Sequence, residues 1–204
     1  MGILSASASI SKYRVVGEIS EKIIEVVTEG LKKNTIIDID DGTAEVSVGW
    51  TSTQNNFKPY FEDSSFLVGQ FFIFSLRVDK KKVPAKVLKK HVTLQTDKKL
   101  EETGKEFISK SEKQRIKEQI NEMLLMKMHA TPNTYDLIWN FEDKELLFFT
   151  TQKAANEELE TLFSKSFGLT LIKMFPYTIA DLTLDLSEDD KDKLNKLIPA
   201  NFKE

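Results

Sequence analysis

The amino-acid sequence predicts an α+β protein in which two similar β/α units, βαββ and ββαβ, flank a basic helical pair within antiparallel-rich sheets. Three observations predict this class: apolar residues recur at helical spacing, short alternating runs end in tight turns, and basic residues concentrate mid-chain. With 204 residues, 40% of them hydrophobic, the chain can bury a substantial core. We expect β/α units over residues 1–78 and 132–204, with the helical pair over 79–131.

The first unit begins with a predicted strand, Ile10–Val16, followed by a helix that Ser20 caps. The buried face of that helix is predicted from four apolar residues at helical spacing: Ile23, Ile24, Val27 and Leu31. Two further strands, Thr35–Ile39 and Thr43–Val48, are predicted to form a hairpin. Their connection, Asp40-Asp41-Gly42, is a turn type that tolerates positive φ.

A long polar loop, Thr51–Ser65, is predicted next, opened by Gly49-Trp50; a loop of this length is typically functional or mobile. The two aromatic residues assigned to it, Trp50 and Phe57, could stack on a base or close an interface. Around the centre of Phe66–Val78, successive residues are apolar, although successive side chains of a strand point to opposite faces. We therefore predict a central strand that is covered on both faces.

The helical pair is predicted to begin near Pro84, because proline suits the first turn of a helix. Its first helix has an apolar stripe of Val87, Leu88, His91 and Val92, so His91 is interpreted as a packing residue rather than a base. Gly104 separates it from a second helix, which runs from about Ser109 to Met128. The stripe of that helix is Ile116, Ile120, Met123 and Leu124.

The second unit follows Pro132-Asn133, which we expect to end the helix. It contains in order two strands of a hairpin, a helix stopped by Gly168, a strand and a short capped helix. These elements are predicted at Tyr135–Phe141, Glu145–Thr150, Gln152–Phe167, Leu169–Tyr177 and from Ser187 onward.

The charge is distributed unevenly along the chain. Net charge is −3, yet Arg77 to Lys117 contains fourteen basic and six acidic residues, while the rest contains fifteen basic and twenty-six acidic residues. Such asymmetry indicates a surface with a side that prefers polyanions. The alternative is a solvated, lysine-rich helix pair with no partner.

Several function classes receive no support from the sequence. The chain has no cysteine and only two histidines, and it contains no G-x-S-x-G, Walker A or G-x-G-x-x-G motif. Asp38, Asp40 and Asp41 form one carboxylate cluster that could hold magnesium in a nuclease, but a tight turn requires the same residues. We therefore expect no enzyme activity, no cofactor and no metal.

The expected location is the cytoplasm, in association with the nucleoid, with no membrane partner. The start of the chain, Met1 to Ser11, is small and polar, without the basic and apolar regions of a signal peptide. The longest apolar stretch, within Phe66–Val78, is too short to span a bilayer.

The segment from Gly49 to Tyr177 resembles the RdgC family of recombination proteins. The most specific similarity is a basic helix, Lys110–Ile120, followed by Leu124-Leu125, in which charges and leucines agree in register with the family. Gly49-Trp50, the basic stretch Lys80–Leu88 with its proline, and the hairpin and helix over Trp139–Gly168 are similar as well. Family members are typically longer, so we expect a short member that lacks their C-terminal portion.

The resemblance implies sequence-independent binding of duplex DNA and antagonism of recombinase filaments, by a homodimer that can close around DNA. His129 stands where the family has an aromatic residue that helps to close this ring. The expected DNA-binding residues are Lys80, Lys81, Lys82, Lys86, Lys89, Lys90, Lys110, Lys113, Arg115, Lys117 and Lys127. Lys110, Lys113 and Lys117 fall within about 60° of one another around a helix. The alternative is a protein–protein interaction module of phage or mobile-element type on the same scaffold.

Overall fold

The structure of the chain, a computed structural model, describes residues 2–18, 22–62, 65–184 and 186–197. Its strands are β1 (Ser11–Val16), β2 (Val46–Thr51), β3 (Leu67–Val68), β4 (Phe71–Lys80), β5 (Thr131–Asn140), β6 (Glu145–Phe148) and β7 (Thr170–Lys173). Its helices are α1 (Ile23–Lys33), α2 (Ala85–Thr103), α3 (Lys110–Leu125), α4 (Lys153–Phe167), α5 (Pro176–Thr183) and α6 (Glu188–Asn195). The predicted α+β class is confirmed.

All the strands pair into one antiparallel sheet, in the order β2-β4-β5-β6-β1-β7, with β3 beside β4. The second unit has the predicted ββαβ order, and its hairpin and helix are confirmed. β1 lies between β6 and β7, so the sheet joins the beginning of the chain to its second unit. The division into residues 1–78, 79–131 and 132–204 stays a prediction.

One face of the sheet is covered by α1 and α4, which form the main core with it. α1 is amphipathic and buries Ile23, Val27 and Leu31 as predicted, whereas Ile24 is 39% exposed. The predicted cap, Ser20, lies outside the described residues. α4 buries Leu159, Leu162, Phe163 and Phe167 and ends at Gly168, whose positive φ of 69° suits a glycine C-cap.

The predicted hairpin between Thr35–Ile39 and Thr43–Val48 is wrong. Gly42 N–H donates to Ile39 O at 3.1 Å, so a turn is present, but the chain does not form a two-stranded ladder around it. Instead residues 34–36 run parallel to β2: Ile36 N–H donates to Trp50 O at 3.0 Å, and Trp50 N–H donates to Asn34 O at 2.9 Å. β2 takes β4 as its antiparallel partner.

Gly49 allows this parallel segment to approach β2. A Cβ atom at position 49 would collide with the backbone of Thr35 and Ile36. Because the obstacle is main chain rather than a flexible side chain, only glycine lets the two segments bond at this distance.

The predicted strand Phe66–Val78 is divided by Gly69, whose φ of +61° makes a tight turn between β3 and β4. β4 lies between β2 and β5, and every residue from Phe74 to Asp79 is buried. The prediction of a central strand covered on both faces is confirmed for this part.

The last predicted strand, Leu169–Tyr177, is shorter than expected, and α5 was not predicted. Pro176 occupies the first turn of α5, where its fixed φ favours a helix, and Thr178 Oγ1 accepts the Phe175 N–H at 2.8 Å. α6 begins as predicted, with Ser187 Oγ accepting Asp190 N–H at 3.3 Å. Among the described residues, no helix has both the length and the apolar character that crossing a bilayer needs.

Candidate nucleic-acid interface

The helical pair forms as predicted, except that α3 ends at Leu125 rather than Met128, and its two helices pack mainly against each other. Buried Ile116, Ile120 and Leu124 of α3 meet Leu88 and Val92 of α2 in a small second core. Two stripe residues differ from expectation, since Met123 and Val87 are each 38% exposed. No residue of α2 is fully buried. Because each helix has so small an apolar face, most of its surface is left to solvent.

The ends of the two helices are closed by local signals. Gly104 caps α2 in the left-handed conformation, with φ of +65°. Ser109 caps α3 in a capping box: its side chain accepts Glu112 N–H at 3.2 Å, and Glu112 reaches back to the Ser109 backbone. The hydrogen bond that Ser109 Oγ donates to the Glu112 carboxylate, and after it the contact with Lys99, lowers the pKa of Glu112.

Lys81, one of the eleven residues expected to bind DNA, is buried in the structure. Its side chain is 4% exposed, and the ammonium donates to Asp40 O at 2.8 Å, Gly42 O at 2.9 Å and Leu125 O at 3.2 Å. An ammonium group has three N–H donors, so none is left for a phosphate. Lys81 instead ties the end of α3 to the turn at residues 40–42.

The other ten expected residues are exposed and make up what we call the basic surface: Lys80, Lys82, Lys86, Lys89, Lys90, Lys110, Lys113, Arg115, Lys117 and Lys127. Among the described residues, none of these ten side chains forms an ion pair. The neighbouring Lys98 and Lys99 are different, because they pair with Glu102 at 3.8 Å and Glu112 at 3.3 Å. Within the part of the chain that the structure describes, no ion pair therefore neutralises the charge of the basic surface.

Side chains from both helices contribute to the basic surface at one place. Lys89 of α2 and Lys117 of α3 line the same shallow groove, over Leu88 and Val92. Lys86 and Lys90 adjoin it along α2. The packing of the two helices thus brings together cations that are far apart in sequence.

The carboxylate cluster has structural partners. Asp40 Oδ1 accepts Ala130 N–H at 2.7 Å, and Asp40 Oδ2 lies 3.1 Å from His129 Nδ1. The bond from Ala130, and after it the bond with His129, lowers the pKa of Asp40. Asp38 Oδ1 accepts Asp40 N–H at 2.8 Å, which is a local turn contact. Within the described ranges, no group of three or more acidic or histidine side chains is placed to hold a metal ion.

Trp50 is not a surface aromatic. It lies in β2, is fully buried, donates from Nε1 to Ser166 Oγ at 2.8 Å and packs on Phe74 and Phe167. A signal in the sequence could have placed it, because Trp50 continues the alternation of Val46 and Val48. Phe57 does lie on the surface, with 67% exposure.

The profile of a protein family described as "Putative exonuclease, RdgC" matches residues 9–184. The chain belongs to the RdgC family. No curated protein was found to match the chain. RdgC membership supports a recombination-related role.

The expectation for His129 rests on the resemblance and stays a prediction. The resemblance places an aromatic residue at the position of His129, where it helps to close a ring. Here the His129 side chain is 89% exposed and contacts Asp40. A polar ring that is engaged with a carboxylate does not supply the same apolar contact.

Proposed function

We propose that this RdgC-family chain binds duplex DNA without sequence preference and modulates recombination through the basic surface. The observation that carries the proposal is the set of ten exposed cations, without ion-pair partners in the described residues, on and beside a helical pair. Lysine ammonium groups contact phosphates as point charges and read no bases. The binding energy should therefore come from the DNA backbone.

Salt dependence tests this mechanism directly. Each phosphate neutralised releases counterions and adds about −0.9 to the slope of log affinity against log salt. Four of the ten cations engaged at once would give a slope of roughly −4. Anisotropy of a labelled duplex at 50–200 mM salt measures the slope, and absence of binding at low salt would refute the proposal.

Charge reversal in α3 tests the location of the interface. Replacing Lys110, Lys113 and Lys117 by Glu should abolish duplex binding, because three phosphate contacts become repulsions. These side chains are exposed, so each change should alter stability by only about 0.5 kcal/mol.

The matched control reverses three exposed lysines on other elements: Lys144, Lys165 and Lys173. Their reversal changes the net charge by the same amount as the α3 variant does. They lie in the β5–β6 turn, in α4 and in β7. Reversal at Lys191 is less suitable, because it pairs with Asp181 at 3.3 Å and with Glu188 at 3.2 Å. Equal loss of binding in both variants would mean that net charge alone matters, and thermal melts confirm that both fold.

We further propose that the chain binds DNA without cleaving it. Support comes from Asp38 and Asp40, the acidic residues closest to a nuclease pattern, whose oxygens accept bonds within the chain. Incubation of purified protein with duplex and magnesium or manganese should leave the DNA intact. Degradation that disappears in Asp38→Ala would contradict this.

The expected consequence for recombination is competition for the DNA backbone. A protein that occupies duplex phosphates without regard to sequence obstructs a recombinase filament on the same DNA, and a homodimer would double the phosphate contacts. We also propose nucleoid association in the cytoplasm, which the same binding to DNA would produce. Strand exchange by a purified recombinase should slow as the chain is added, and the α3 charge-reversal variant should not slow it.

A second candidate function is a protein–protein interaction module. Exposed apolar side chains at the end of the described chain favour it: Phe175 is 50%, Leu182 49% and Leu184 55% exposed, beside the acidic start of α6. If no duplex is bound at low salt, this candidate becomes the preferred function.

A further inference from the structure

Phe57 is an exposed aromatic ring with a charged group on one side. It belongs to the segment between β2 and β3, and the guanidinium carbon of Arg77 lies 5.0 Å from its ring centroid. At 67% exposure, the residue is too open for both faces of the ring to be covered by protein. One face therefore meets Arg77, and the ring remains accessible from solvent.

The loop that presents Phe57 is held in place from both sides. Asn55 Oδ1 accepts the N–H groups of Phe57 at 3.2 Å and Lys58 at 3.0 Å. Asn56 O accepts Thr51 Oγ1 at 2.9 Å and Arg77 Nη1 at 3.1 Å. The backbone just before the ring is therefore tied to the sheet, and the backbone at and after the ring is tied to Asn55.

Arg77 is itself fixed, so it is a rigid support. Its side chain is 11% exposed, and its Nε donates to Asp79 Oδ1 at 2.7 Å, with a second bond from Nη2 to the same carboxylate. Such bidentate pairs are strong and directional. A ring held in this way loses little conformational freedom when a ligand stacks on it.

The surroundings of Phe57 favour a flat, charged ligand over an apolar protein surface. Gln54, Asn55 and Lys58, which are close to Phe57 in the chain, are polar and exposed, so the ring has polar neighbours. An aromatic ring next to a cation is how proteins hold single-stranded nucleic acid, with the ring on a base and the cation on a phosphate.

The position of Phe57 also connects it to the basic surface. Arg77, under the ring, and Lys81 are four residues apart and point to the same face of the sheet, which is about 13 Å at the rise of a strand. Lys81 in turn bonds Leu125 O at the end of α3, two residues before the exposed Lys127 of the basic surface. A DNA strand that leaves the basic surface can reach the ring within a few nucleotides.

We propose that Phe57 stacks on an unpaired base of a DNA strand that adjoins the duplex on the basic surface, while Lys58 contacts its phosphate. This inference rests on the proposed function. It predicts that a duplex with a single-stranded tail binds more tightly than a blunt duplex of the same length.

The experiment compares tailed and blunt duplexes with wild-type protein, Phe57→Ala, Phe57→Leu and Phe57→Trp. Stacking of a base on an aromatic ring contributes about 1–3 kcal/mol, so Phe57→Ala should lose about 5- to 150-fold in affinity for the tailed duplex. Blunt-duplex affinity should change less than about twofold, because only phosphates are bound there. Phe57→Leu should behave like Phe57→Ala, since leucine is apolar but has no aromatic face.

Phe57→Trp gives a direct readout of stacking. It should retain tailed-duplex affinity, and its added indole fluorescence should be quenched by the tailed duplex and not by the blunt one.

Equal losses of affinity for both duplexes, with a lower melting temperature, would show that Phe57 only shields Arg77 and Asp79. Unchanged tailed-duplex affinity in Phe57→Ala would also overturn the inference while leaving the proposed function intact. If the wild type binds neither duplex, the proposed function fails and the inference fails with it.

Discussion

Replacing Lys81 by Met separates a structural lysine from its DNA-binding neighbour. Methionine keeps most of the side-chain volume but removes the ammonium that joins Leu125 O to the carbonyls of Asp40 and Gly42. Of these three bonds, the one to Leu125 O is buried and the two to the turn are partly buried. The variant therefore tests how much this junction stabilises the chain.

The expected loss follows from the exposure of each carbonyl. A hydrogen bond to a charged group contributes about 1.5–3 kcal/mol when buried, and the two partly buried carbonyls can recover part of theirs from water. Leu125 O also keeps the Met128 N–H at 3.2 Å. Methionine also removes the desolvation cost of burying the ammonium charge, and this offsets a further part of the lost hydrogen-bond energy. We expect the free energy of unfolding to fall by about 2–4 kcal/mol.

Urea unfolding followed by the fluorescence of the buried Trp50 and Trp139 measures this loss. The control is Lys82→Met, the next residue, which is exposed and should change stability by only about 0.5 kcal/mol. The effects of the two variants on DNA binding should be the reverse of their effects on stability. Lys82→Met should reduce the magnitude of the salt slope by about 0.9, while Lys81→Met should leave it unchanged. A stability loss below about 1 kcal/mol for Lys81→Met, or a reduced salt slope, would refute this account of the junction.

Two further predictions concern the same end of the sheet. Gly49→Ala should lower the free energy of unfolding by about 2–4 kcal/mol, because the added Cβ collides with the Ile36 backbone and disrupts the bonds to Trp50; urea unfolding with a loss under about 1 kcal/mol would contradict this. The folded-state pKa of Asp40 is lowered, so its carboxylate stabilises the fold above the unfolded pKa, and this contribution disappears as pH falls through the folded pKa. The melting temperature should therefore drop below about pH 4. Asp40→Asn should have a lower melting temperature than the wild type at pH 6, and its melting temperature should fall less as the pH is lowered. An equal fall in both proteins would show that Asp40 does not hold the turn.

Local signals in the sequence determined most of the helices and one hairpin. Ser109 with Glu112, and Gly168 after an apolar stripe, predict the start of α3 and the end of α4, because capping involves residues within one turn of each other. The β5–β6 hairpin was predicted for the same reason, since its strands are joined by a few residues. The concentration of basic charge between Arg77 and Lys117 is likewise a property of consecutive residues.

Tertiary structure alone decided which strands pair and which polar groups are buried. Residues 34–36 were expected to pair with the next segment in a hairpin, but they lie parallel to β2, where Gly49 leaves room for them. Lys81 looks like its neighbours in sequence, yet directly after β4 its ammonium reaches carbonyls that come from two distant segments. Pairing and burial depend on groups brought together from far along the chain, so no spacing between consecutive residues encodes them.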